Sequence, residues 1–138
     1  KAQGTDIART FCGLNDVRNI APSIKYAKEA GMISQCSLCI THSPVHTVEY
    51  YTKMAFELIE LGADEICIKD MAGIGRPYTL GRIVANIKEK YPEIPIQYHS
   101  HAGPGFNVAS IMEVCNAGCD YIDVGMEPLS WGTGTRTC

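Results

Sequence analysis

Five short apolar runs alternate with four amphipathic ones at intervals of about 30 residues, and that rhythm narrows the possible folds sharply. The apolar runs lie at 7–12, 33–41, 65–69, 94–99 and 121–125. They show no clean polar alternation, as expected of parallel strands covered by helices. Between them, Asn15 or Asp16 can cap a helix that Gly31 stops. Pro22 is expected in its first turns, where a missing N–H costs little. Thr47 caps a second helix ended by Gly62, Thr79 starts a third closed by Pro92, and Gly118 stops a fourth over 106–117. The class is α/β with right-handed crossovers. Two architectures satisfy it: a five-stranded doubly wound sheet, or five units of a (β/α)8 barrel. A whole barrel takes ~250 residues; this chain has 138.

Composition removes several function classes. With 46% apolar and 20% charged residues and a net charge of -3, the chain reads as one ordinary soluble domain. It is not a disordered tail, a collagen-like fibre or a coiled coil. No apolar stretch reaches 18 residues, so no membrane span is expected. Lys and Arg do not cluster, which argues against a nucleic-acid partner. Lys1–Gly4 has no signal-peptide pattern, and a cytoplasmic setting is expected. The seven Cys are odd in number, and several lie inside apolar strands, as reduced core thiols do. Cys36 and Cys39 have redox-motif spacing, but residues three apart on a strand point to opposite faces. Cys115 and Cys119 lack the second pair that a zinc site needs.

Chemistry concentrates at strand ends. Lys69-Asp70 closes the third strand and His99-Ser-His101 the fourth. Residues i and i+2 share a strand face, so the two imidazoles can converge on one point facing Lys69. An ammonium would repel a metal there. Lys69 is therefore neutral, converted by CO2 to an anionic carbamate, or paired with Asp70 or Asp123. Arg9 and Asp70 are the candidate substrate contacts; paired structural charge is the plain alternative for Arg9. Gly73-Ile-Gly75 and Gly103-Pro-Gly105 match no phosphate loop and read as tight βα turns. His42 and His46 read as loop residues at the same end of the sheet.

Four segments carry a family resemblance: Leu14-Asn-Asp-Val-Arg-Asn19, Ser43-Pro-Val-His-Thr47, Lys69-Asp-Met-Ala-Gly73 and His99-Ser-His-Ala102. In that order they resemble the carboxyltransferase domain of biotin-dependent enzymes, such as oxaloacetate decarboxylase, the subunit-type pyruvate carboxylases and transcarboxylase. The likeness runs to Gly134, giving a partial barrel over 1–134 and a four-residue tail, 135–138, outside it. It implies a (β/α)8 barrel of which this chain supplies roughly strands four to eight. It implies a carbamylated Lys69 that binds a divalent metal (Zn, Co or Mn) with His99 and His101. A further aspartate ligand would come from a first strand absent here. Thr133 lies where the family keeps a threonine that moves a proton between biotin and the keto acid. The implied reaction is carboxyl transfer between oxaloacetate and pyruvate or a close 2-keto acid. Biotin would arrive on a separate domain or subunit, within an oligomer. The chain departs from the family at Phe11-Cys-Gly13 and Gly103-Pro-Gly105.

Two other readings compete. Acyl-CoA lyases and Claisen synthases also place a His-x-His on a barrel metal. They would show Asn-Asp after the second His, where this chain has Ala102-Gly103. The other is a non-catalytic half barrel, since five units cannot close alone and would expose two sheet edges. The isolated chain is accordingly expected to show little catalysis.

Overall fold

Each apolar run becomes a strand and each amphipathic run a helix in the computed structural model, which describes residues 1–126. The order is β1 (Ile7–Phe11), α1 (Val17–Glu29), β2 (Ile33–Cys39), α2 (Val48–Glu60), β3 (Glu65–Asp70), α3 (Pro77–Lys90), β4 (Ile96–Ser100), α4 (Asn107–Asn116) and β5 (Tyr121–Ile122). The five strands form one parallel sheet in the sequence order β1-β2-β3-β4-β5. A doubly wound sheet reverses order at a switch point. An unbroken order is the arrangement of a barrel segment, and it decides between the two architectures.

Several boundaries differ from expectation for local reasons. Helix α3 begins at Pro77 rather than Thr79, because the fixed φ of proline suits the first helical position. Pro22 is the sixth residue of α1, past the first turn, so its missing N–H does cost one helical bond. Strand β5 is two residues long and, among the described residues, pairs with β4 alone.

The outer face of the sheet carries the apolar core. Cys36 and Leu38 of β2, Ile66 and Ile68 of β3, and Ile96 and Tyr98 of β4 are buried beneath Ile20, Leu58, Ile83 and Ile87 of the helices. Each such aliphatic side chain contributes about 1.5–3 kcal/mol when fully buried. The inner face is different. Ile7 and Phe11 of β1 are exposed, while Gln35, Ser37, Cys67 and half-buried Lys69 line the middle strands. Cys36 and Cys39 fall on opposite faces and cannot act as a pair. Burial pushes the Cys36 thiol up to about 11. No helix among the described residues is long and apolar enough to cross a membrane.

At two of the chain's three Gly-x-Asp steps, Gly62–Asp64 and Gly118–Asp120, the aspartate works the same way. Asp64 accepts from the Ser34 N–H (2.9 Å) and from Lys28 of α1 (2.8 Å). Asp120 accepts from the Ile96 N–H (2.7 Å) and from Lys88 of α3 (2.7 Å). Both clamps pin the N-terminal ends of neighbouring strands. Burial alone would raise these carboxyls, but the lysines and backbone donors hold them below the ordinary aspartate value. A depressed carboxyl stabilises the fold above its unfolded pKa, and that contribution is lost as pH falls through the folded one. The thermal midpoint is therefore expected to drop between pH 5 and pH 3. An Asp64→Asn/Asp120→Asn variant should show a shallower drop over the same range. Parallel curves for the two proteins would refute the assignment.

Candidate functional site

Parallel register places Cys39, Lys69 and His99 side by side on β2, β3 and β4, all on the inner face at the C-terminal strand ends. His101 follows two residues after His99, and the two rings meet edge to face with centroids 5.1 Å apart. Their Nε2 atoms lie 3.3 Å apart. One ion about 2 Å from each nitrogen fits that gap. The buried Nδ1 of His101 has no hydrogen-bond partner. Lys69 Nζ sits 5.2 Å from the Phe11 ring centroid, and no salt bridge among the described residues involves it. That removes the ion-pair alternative: Asp123 is engaged elsewhere, and Asp70 faces the other way. Burial, aided by the Lys69 charge, holds His99 below its ordinary value against the opposing pull of Asp123. A neutral imidazole keeps a lone pair for a metal. Among the described residues no group of three or more His, Cys, Asp or Glu could hold an ion. The pair needs a third donor of another kind.

The Asp123 carboxylate anchors the cluster from behind. Its Oδ2 accepts from His99 Nδ1 (2.7 Å) and from Arg9 Nη1 (2.7 Å), and its Oδ1 accepts from Gln97. Burial would raise its pKa, but these donors outweigh burial and lower it. Gln35, wholly buried in β2, accepts from Arg9 and donates to Gln97 (2.8 Å) and Glu65 (2.7 Å). Arg9 thus belongs to the cluster as a paired charge on a carboxylate, the plain alternative to a substrate contact.

Asp70 lies on the opposite face of β3 from Lys69. It is 1% exposed, and its carboxylate accepts from the Ile74 (3.0 Å) and Gly75 (2.8 Å) N–H groups. Burial raises its pKa, only partly offset by those backbone donors. The residue shapes the loop after β3 through those two bonds. That loop also explains Gly73. Its φ is +66°, and a Cβ there would lie 2.0 Å from the His101 carbonyl oxygen. The glycine lets the β3 loop close against the end of β4, where His101 N–H donates to the Asp70 carbonyl (3.3 Å).

Asn15, at φ +54°, bonds both backbone groups of Cys39 and pins the strand end beside Lys69. Helix α1 is capped by Asp16 instead. His42 and His46, with Ser43, Arg76 and Thr79, line a separate cavity of about 300 Å³ that none of Lys69, His99 or His101 lines. There Ser43 Oγ meets His46 Nδ1 at 2.7 Å. Thr133 lies outside the described residues.

The HMGL-like family matches residues 13–137. Over 130 residues the chain is 44% identical to a pyruvate carboxylase subunit of Methanocaldococcus jannaschii, covering 94% of this chain and 23% of that protein. It is 39% identical to the methylmalonyl-CoA carboxyltransferase 5S subunit of Propionibacterium freudenreichii, covering 95% of this chain and 26% of that protein. The structure of the carboxyl transferase domain from Rhizobium etli pyruvate carboxylase superposes with a TM-score of 0.91 at 31% identity. The match covers 99% of this chain and 24% of that one. That domain has also been solved with pyruvate and biocytin. The chain therefore spans about a quarter of the length of these relatives, and its sheet matches a fragment of their barrel.

Proposed function

The chain belongs to the HMGL-like family, and from that premise we propose that it forms the metal-binding part of a biotin-dependent carboxyltransferase. The reaction is carboxyl transfer between oxaloacetate and pyruvate, or a close 2-keto acid. The observation that carries the reading is the His99–His101 pair, with facing Nε2 atoms, beside Lys69 on the neighbouring strand. The relatives named above support the reaction class.

His99 and His101 would hold a divalent ion through Nε2, and Lys69 would complete the set as its carbamate. In that modification the neutral amine attacks CO2, a C–N bond forms, and one proton leaves to solvent. Two imidazoles with an oxygen anion suit Zn, Co or Mn. When bound there, such an ion would supply Lewis-acid stabilisation for charge on the keto oxygen. Asp123 keeps the Nδ1 proton on His99 and so leaves Nε2 free to bind. Phe11 lies beside the Lys69 side chain, with Nζ 5.2 Å from its ring centroid. Thr133 would carry the proton between enolate and biotin. The reading includes a biotin carrier domain or subunit as partner, a cytoplasmic setting and an oligomer.

The test is metal content per chain, by elemental mass spectrometry, on the complete gene product beside His99→Ala. Near-stoichiometric divalent metal that His99→Ala removes is the expected result. Metal retained by His99→Ala would sink the reading. Thermal protection by acetyl-CoA and not by biotin would sink the biotin assignment in favour of an acyl-CoA lyase.

A further inference from the structure

The polar residues on the inner face close into a ring. Arg9 donates to Gln35 through Nε and to Asp123 through Nη1 (2.7 Å). Gln35 donates to Gln97 (2.8 Å), and Gln97 donates to Asp123. The members come from β1, β2, β4 and the residue after β5. The ring has a direction. Each amide accepts on one side and donates on the other. Turning Gln97 over would set its NH2 against that of Gln35 and its oxygen against the carboxylate. Only one arrangement satisfies every member, so Asp123 has one orientation. A carboxylate can only accept, so the bond to His99 (2.7 Å) requires the proton on Nδ1. In the neutral ring, Nε2 then carries the lone pair, and it is this atom that faces His101.

We propose that Asp123 is the positioning residue for His99, and that the Arg9–Gln35–Gln97–Asp123 ring holds it in register, setting the imidazole's tautomer and aim before any ion arrives. The proposal rests on the metal reading given above. It assigns Arg9 to the metal's support and not to the keto acid. The tautomer is built into the sheet, by three strands and the residue that follows a fourth, and owes nothing to substrate. Charge matters as much as shape. An asparagine at 123 would offer one oxygen where the carboxylate offers two, and its NH2 would face either the Gln97 donor or, turned over, both the Arg9 and the His99 donors.

Two variants of the complete gene product test this, with His99→Ala as reference. Asp123→Asn is nearly isosteric. Arg9→Lys keeps the charge but loses the rigid fork that aims one N–H at each acceptor. The first readout is 15N NMR of the histidines in metal-free protein. Wild-type His99 is expected as the Nδ1–H tautomer, and Asp123→Asn should shift it toward Nε2–H. The second is Zn2+ affinity by chelator competition. Asp123→Asn should weaken it by about 10–100-fold, as loss of an outer carboxylate commonly does, and Arg9→Lys by a smaller factor in the same direction. A third is kinetic: Arg9→Lys should leave KM for the keto acid unchanged, whereas a direct substrate contact would raise it. An unaltered tautomer with affinity within about twofold of wild type would overturn the proposal. The metal site would still stand if His99→Ala loses the ion. Retention of metal by His99→Ala would instead overturn the site itself, and the metal-free tautomer would still decide what Asp123 does.

Discussion

Lys69→Ala in the complete gene product is expected to release the metal and lower carboxyl transfer roughly a thousandfold, the rate equivalent of about 4 kcal/mol. The argument is one of ligand count. His99 and His101 supply two nitrogens 3.3 Å apart, and no third His, Cys, Asp or Glu joins them among the described residues. Lys69 is the neighbour in register with His99. As an ammonium it would oppose a cation; as a carbamate it would bind one. Its removal should cost the fold little. It has no salt bridge among the described residues, and its contact with Phe11 is worth about 0.5–1 kcal/mol at a partly exposed site. The expected signature is therefore lost metal and lost turnover with a nearly unchanged thermal midpoint. Turnover that survives the substitution would dismiss the carbamate role.

Gly73→Ala should produce the opposite pattern, with stability and site damaged together. The residue holds φ at +66°, where a Cβ costs roughly 1–2 kcal/mol. That Cβ would also meet the His101 carbonyl oxygen at 2.0 Å, and backbone cannot move aside as a flexible side chain does. The total is expected to exceed about 3 kcal/mol. Relief that shifts the His101 backbone also moves its imidazole relative to His99, so metal affinity is expected to fall with the thermal midpoint. Denaturant unfolding and chelator competition measure the two losses. A stable Gly73→Ala protein with intact metal affinity would show that this close approach is not needed.

The alternation of apolar runs carried the α/β class, because strand and helix periods differ and need no tertiary information. It could not separate a barrel segment from a doubly wound sheet, since both alternate identically and only strand order distinguishes them. The convergence of Lys69, His99 and His101 was legible from strand geometry alone. The same geometry weighs against Asp70 as a substrate contact. Adjacent strand residues face opposite ways, so Lys69 and Asp70 cannot both look inward. Gln35 and Gln97 carried a signal too. An amide in the middle of an apolar strand must find a partner when buried. Which partner it finds depends on residues far along the chain. Asp123 as the mate of Arg9 was beyond reach for that reason, and Gly73 resembled any other turn glycine until its neighbour was known.

The bond between Arg9 and Asp123 joins residues 114 apart in sequence. Every other step in the sheet is local, each strand pairing with the next across a single helix. Such a sheet can zip up as the chain emerges from the ribosome, each new strand docking on the last at a modest loop-closure cost. The ring cannot do so. It closes only after β5 is in place, when the residue that follows it is brought to the same point as β1. Until then His99 stands at its strand end with no carboxylate behind it. The order of synthesis thus leaves His99 unsupported for a time: the sheet can form early, and the carboxylate behind His99 arrives only once the stretch after β5 has been made.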